Sequence, residues 1–229
     1  MVRSLSIASN HLGKSERSLI IPMNVLGLFP LHIVLFPEAY YPLHIFEERY
    51  KKLVKETVET ESEFGINLVE GGKMFEVGCR VKVSRILKEL PDGRKDIVVI
   101  GTTRYRVEKI RPAEMHYITA DVIDYNDLDE TIDLTVIDET IVLYNELIER
   151  VYGAAEEKLI VEEWMGRHPS YRIAQKSGLD LMLRQRLLEM RSENERLSFL
   201  RSHLRTILPK IRRVDQIRML SRNDGYLPS

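Results

Sequence analysis

The chain has 229 residues, 44% of them hydrophobic and 30% charged, with a formal net charge of −1. That balance fits a soluble globular protein able to bury a real core, as one large domain or two small ones. No apolar run approaches the roughly 18 residues a membrane span needs, and the lone Cys79 excludes an internal disulfide and a cysteine-based metal cluster.

Residues 1–19 lack a continuous apolar core and read as a flexible polar tail, not a signal peptide. With one cysteine and no export signal, the expected compartment is the cytoplasm. Ile20–Leu28 is expected as a strand. The run Leu28–Tyr50, LFPLHIVLFPEAYYPLHIFEERY, sets three prolines among aromatic and aliphatic residues. Pro30, Pro37 and Pro42 cannot donate to a sheet ladder, so the run cannot be one central strand. Two short strands are expected, Leu31–Phe36 and Tyr40–Ile45, bent at Pro37-Glu38. They feed a helix over Phe46–Thr57 with Phe46, Tyr50, Leu53 and Val54 on one face.

Phe64–Val69 reads as a short strand ending at Gly71-Gly72. Val77, Cys79, Val81 and Val83 alternate with polar residues as a half-buried strand does, and the phase slips at Ser84-Arg85, which predicts a bulge. Leu90-Pro91-Asp92-Gly93-Arg94 predicts a hairpin turn, with Asp96–Ile100 as its return strand. Gly101 is expected to interrupt that strand and Pro112 to end its continuation. Tyr117–Tyr125 is the last strand. Short strands, repeated turns and one early helix predict a small, partly closed β-barrel.

The pattern then turns helical. Asp133 can cap a helix carrying Leu134, Ile137, Ile141, Tyr144, Leu147, Ile148 and Val151, stopped at Gly153. Further helices are expected over Ala154–Met165, Ser170–Gln175 and Asp180–Arg191. Ser192 and Glu195 have capping-box spacing before a last apolar stripe, which Pro209 is expected to kink or split. The chain thus divides near residue 130, into a β part over 20–130 and an α part over 131–222, with 223–229 as a C-terminal tail.

Charge is segregated. From Asp121 to Glu163 fourteen acidic residues face Arg150 and Lys158, whereas from Arg167 to Arg222 fourteen basic residues face five acidic ones. The two stretches can pair within the molecule, or the basic one can form a polyanion surface. Arg201, Arg205, Arg212, Arg213 and Arg218 are the residues for the second reading.

Chemistry-bearing motifs are missing. Gly72-Lys73 imitates the end of a phosphate loop, but Met74 replaces the hydroxyl residue and Asn67 stands where the first glycine belongs. His32, His44 and Glu47 match no metal-binding spacing. Cys79 sits on the apolar side of a strand and reads as a buried, inert thiol. No catalytic residue, metal or cofactor is assigned.

The ordered motifs resemble the N-terminal substrate-binding domain of Lon-type ATP-dependent proteases, found also in stand-alone bacterial proteins. The resemblance rests on Pro30-Leu31, Val34-Leu35-Phe36-Pro37, Pro42-Leu43-His44-Ile45-Phe46-Glu47 and Arg49-Tyr50. Val77-Gly78-Cys79, Leu90-Pro91-Asp92-Gly93-Arg94 and Gly101-Thr102-Thr103-Arg104-Tyr105-Arg106-Val107 follow in the same order. Gln185, Leu187-Leu188-Glu189 and Glu195-Arg196-Leu197 complete it. It implies an α+β fold, a PUA-like β pseudo-barrel followed by a C-terminal helical bundle. It also implies a non-catalytic module that recognises unfolded or tagged polypeptides or docks on a protease or chaperone machine, because no ATPase or Ser–Lys protease module follows. Phe36, Tyr40, Tyr41 and Phe46 are the candidate polypeptide-binding residues. RNA or another polyanion, recognised as PUA-like barrels recognise RNA, is the alternative partner.

Overall fold

The computed structural model describes residues 24–112, 116–164 and 168–222, with the backbone alone at 154 and 218–222. The expected tails over 1–19 and 223–229 lie outside the described residues. In chain order come β1 (Asn24–Leu31), β2 (Tyr40–Ile45), α1 (Glu48–Glu59), β3 (Phe64–Glu70), β4 (Lys73–Met74), β5 (Val77–Glu89), β6 (Lys95–Ile110) and β7 (Ile118–Asp124). The helices α2 (Leu134–Val151), α3 (Ser170–Lys176), α4 (Leu181–Glu189) and α5 (Glu193–Arg222) follow.

The strands run in the order β1-β7-β6-β5-β3-β4, and β1 also pairs with β3, so five strands close into a ring. All pairs are antiparallel except β1 with β3. Leu26, Leu28, Tyr105, Val107, Ala120 and Val122 form a small apolar cluster between β1, β6 and β7. The larger cluster runs from Phe29, Phe36, Tyr50 and Phe64 into Ile137, Tyr144, Leu197 and Leu204, and so joins strands and helices.

Strand β6 outruns the ring. Its second half pairs with β7, while its first half, Lys95–Ile100, pairs with β2 on one edge and with β5 on the other. A three-stranded arm, β2-β6-β5, therefore projects from the barrel. Gly101 does not interrupt β6. It lies at the junction of ring and arm, where a Cβ would stand 2.2 Å from the Phe36 carbonyl oxygen. The absence of a side chain lets the Phe36–Ala39 bend press against the strand, and Gly101 exchanges main-chain hydrogen bonds with it: Glu38 N to Gly101 O and Gly101 N to Ala39 O, both 2.9 Å.

Other boundaries also move. Residues 32–36 are not a strand; β1 instead ends at Leu31 and includes Pro30. The ring fits Pro30 because pairing with β7 stops at Leu28, which leaves one side of β1 unpaired there. Helix α1 starts two residues after Phe46 and buries Tyr50, Leu53, Val54 and Thr57. Phe46 lies outside that face and is exposed. The helix expected over 154–165 is replaced by two single 3₁₀ turns, Gly153–Ala155 and Val161–Trp164; Met165 lies outside the described residues. Gly153, at φ 57°, breaks the α-helical path. Helix α5 continues through Pro209 as one element. The bulge at Val83/Arg85, the Asp133 cap and the Ser192 cap are as expected.

Candidate functional site

The arm presents an open sheet face. Residues paired across strands point to the same side, so the register defines three rows. Tyr40, Pro42 and His44 of β2 lie opposite Ile100, Val98 and Asp96 of β6. Those in turn lie opposite Lys82, Arg85 and Lys88 of β5. Simple alternation would split the three cations between faces. Two register shifts, at Val83/Arg85 and Ile86/Lys88, bring them to one side.

The rows differ in chemistry. The β2 row is built of rings: Tyr40 is 64% exposed, and His44 stacks on Phe46 with centroids 5.8 Å apart. The middle row has an apolar floor of Val98, only 7% exposed beneath its neighbours, and the partly covered Ile100, with Asp96 at its end. The β5 row is cationic and exposed. Asp96 is the only acid in the three rows, and His44 Nδ1 holds its Oδ1 at 2.6 Å. The opposite face of the arm is core: Leu43, Ile45, Ile97 and Val99 are buried. Among the described residues β2 pairs only with β6, so its outer edge is free. Pro42 is tolerated because β2 is an edge strand.

The sequence-predicted residues separate. Tyr40 and Phe46 are exposed and Tyr41 is half-buried. Phe36 is wholly buried, stacked on Tyr171 and under Arg184, so it supports the arm and is not part of its surface. Sequence reading missed the cation row. The slip at Ser84-Arg85 was the available signal; carried forward through a second slip, it would have aligned Lys82, Arg85 and Lys88.

The basic helix is largely engaged within the molecule. Arg201 and Arg205 bond Glu139, Arg212 bonds Glu146, and Arg150 of α2 reaches Asp215. The residue numbers of these pairs rise together along both helices, so α2 and α5 run parallel with acidic and basic faces opposed. Arg213 is exposed; the Arg218 side chain lies outside the described residues.

Two other clusters are charge-balanced. A cleft of about 580 Å³ between α1 and the β5–β6 hairpin holds Lys51, Lys52, Lys55 and Lys95, each beside a carboxylate. Asp127, His168 and Glu193 place ligand-type atoms within 4.8 Å of one another. Arg196, wholly buried, donates to both carboxylates, and Arg104 donates to Asp127 as well. The guanidiniums already meet the charge that a metal ion would neutralise. Arg104 also donates to the carbonyls of Leu188 (2.7 Å) and Met190 (2.6 Å), so the cluster clasps β6 to the α4–α5 link. The Glu193 carboxylate 3.7 Å away raises the pKa of His168. Burial pushes Cys79 up to about 12, which makes it a poor nucleophile.

Comparison with known proteins gives a consistent result. The family model for the ATP-dependent protease La (LON) substrate-binding domain matches residues 25–206. The Lon protease of Cytophaga hutchinsonii is 30% identical over 95 residues, which is 38% of this chain and 12% of that protease. The chain thus aligns with only a small part of that relative's length. A Lon N-terminal domain protein from Xanthomonas campestris has a crystal structure similar to 77% of this chain and 96% of its own, with 28% identity and a TM-score of 0.60. The N-terminal domain of Mycobacterium avium complex Lon protease shares the fold at 14% identity, with a TM-score of 0.63 over 79% of this chain and 98% of that one.

Proposed function

The chain belongs to the Lon substrate-binding-domain family, and from that premise we propose that it is a polypeptide-recognition module with no bond-breaking chemistry of its own. The observation that carries this reading is the open face of the arm, where rings and an apolar floor lie beside an unpaired strand edge. Exposed rings on a sheet suit an extended chain, whose apolar side chains can pack on Tyr40 and Phe46 as it lies across the face. In this reading residues 20–130 present the face and residues 131–222 brace it. The clients are unfolded or tagged polypeptides met in the cytoplasm, or a segment of a larger protease or chaperone machine.

The test is binding of a reduced, alkylated, unfolded protein against its native form, measured by fluorescence anisotropy. Selective binding of the unfolded form, lost in Tyr40→Ala/Phe46→Ala, is the expected result. Affinity no greater than for an inert polymer control would remove the reading. The polyanion alternative draws less support, because Arg201, Arg205 and Arg212 are committed to Glu139 and Glu146.

A further inference from the structure

The arm carries a feature that plain apolar recognition does not need. Lys82, Arg85 and Lys88 stand in a row, exposed, with no carboxylate partner among the described residues. Other exposed cations, Lys109, Lys210 and Arg213 among them, also stand without one; what sets these three apart is their alignment across the sheet from the ring row. We infer that this face selects extended polypeptide segments in which acidic residues alternate with aromatic or apolar ones, an inference that rests on the polypeptide-recognition reading above.

The geometry supplies the alternation. Successive side chains of an extended segment point to opposite sides, and same-side neighbours recur about every 6.6 Å. Tyr40, Pro42 and His44 have that same two-residue spacing in β2. A segment lying along the β6 floor has the ring row on one flank and the cation row on the other, each one strand spacing, about 4.8 Å, away. Every second side chain then meets rings and the intervening ones meet cations. Acidic residues satisfy the cation flank, and aromatic or branched apolar residues satisfy the rings and the floor. Asp96, the one acid in the rows, sits at one end of them, hydrogen-bonded to His44.

Charge argues against the chain's own N-terminal segment as the occupant. Residues 1–23 carry Arg3, Lys14 and Arg17 against Glu16 alone, the wrong sign for a basic row. A single-stranded nucleic acid would also meet rings and cations. The substrate-binding-domain family of a protease favours the polypeptide, and the probes below tell the two apart.

Fluorescence anisotropy of the full chain tests the inference with three labelled probes. One is a peptide alternating Glu with Tyr and Leu, the second is the same peptide with Lys for Glu, and the third is single-stranded poly-uridine. The acidic peptide is expected to bind about tenfold tighter than the basic one at low salt, a gap that narrows as salt screens the row. Lys82→Glu/Arg85→Glu/Lys88→Glu should reverse the order, and the corresponding triple Gln variant should abolish the preference while leaving the thermal midpoint in place. Equal affinity for the two peptides overturns the selectivity and leaves polypeptide recognition standing. Binding of neither overturns both. Tighter binding of poly-uridine, lost on charge reversal, overturns the inference in favour of nucleic acid. Self-association abolished by the same reversal assigns the face to a second copy of the chain and overturns it too.

Discussion

Arg196 grips Asp127 with both ends of its guanidinium: Nη1 donates to Oδ1 at 2.8 Å and Nη2 donates to Oδ2. The same Nη2 donates to Glu193 at 2.6 Å, Nε donates to the Ser170 hydroxyl at 2.8 Å, and the Tyr171 ring lies 4.5 Å from the guanidinium carbon. This one buried cation holds α3, α5 and the link after β7 to one another. Arg196→Met leaves two carboxylates facing each other without it, and should cost about 3–5 kcal/mol. Arg196→Lys should recover only part of that, because an ammonium cannot span both oxygens of Asp127. Urea unfolding of the three proteins checks the order. A Met variant as stable as wild type would mean that the cluster contributes nothing.

The α2–α5 contact gives a pH signature. Bonds from Arg212, and then from Arg150, hold Glu146 down from 4.5 to about 2. A depressed carboxylate stabilises the fold above its unfolded pKa, and that contribution drains away as pH falls from about 4.5 toward 2. Glu146 is part-exposed, so the pair contributes no more than about 1 kcal/mol. Glu146→Gln should therefore be less stable than wild type at pH 6, with the gap closing on acidification. Urea midpoints of both proteins between pH 6 and pH 3 measure it. A gap that widens on acidification has the wrong sign and would exclude this origin.

Local rules made much of the fold legible. Asp133, Asp180 and Ser192 announce helix starts because a cap is a contact within a few residues. The Asp92-Gly93 turn needs only its own residues. What stayed hidden depends on partners far along the chain. Residues 32–36 have strand composition, yet they find no ladder, and the Phe36 carbonyl at their end packs against Gly101. Phe46 fits the α1 face by spacing, yet the helix begins after it, since Glu47 already provides the extended N-cap conformation. Phe36 and Tyr40 are both aromatic residues beside the same bend, and only the packing of Tyr171 and Arg184 onto the first tells core from surface. The cation row required two bulges in register, which alternation alone cannot report.

The bend itself can be tuned in both directions. Ala39 N donates to Phe36 O at 3.2 Å, Pro37 occupies the second turn position, and Glu38 holds φ at 63°, where a side chain is strained. Glu38→Gly relieves a left-handed cost of about 1–2 kcal/mol against an entropy cost of about 0.5–1, so it should stabilise by up to about 1.5 kcal/mol. Gly101→Ala drives a methyl group to 2.2 Å from the Phe36 oxygen and should destabilise by about 1–3 kcal/mol or more. Thermal unfolding of both variants checks the signs. A neutral Gly101→Ala would mean that the bend does not press on β6 as described.

The sharpest test of the arm separates stability from binding at aromatic residues close in sequence. Phe36 is fully buried, so Phe36→Ala should cost about 3–5 kcal/mol and reduce binding only by unfolding the protein. Tyr40 and Phe46 are 64% and 58% exposed, so Tyr40→Ala and Phe46→Ala should each change stability by less than about 0.5 kcal/mol. If the ring row holds an extended chain, those two variants should still weaken peptide binding, and the double variant should do so most. Phe46→Ala also strips the stacking partner from His44, which frees the imidazole to leave Asp96. An uncovered Asp96 would repel acidic peptides, so Phe46→Ala should lose more affinity for an acidic probe than for a basic one, whereas Tyr40→Ala should lose both alike. Anisotropy titrations of the single variants with the two probes measure that difference. Equal losses in Phe46→Ala would mean that the His44–Asp96 pair has no part in setting the charge preference of the face.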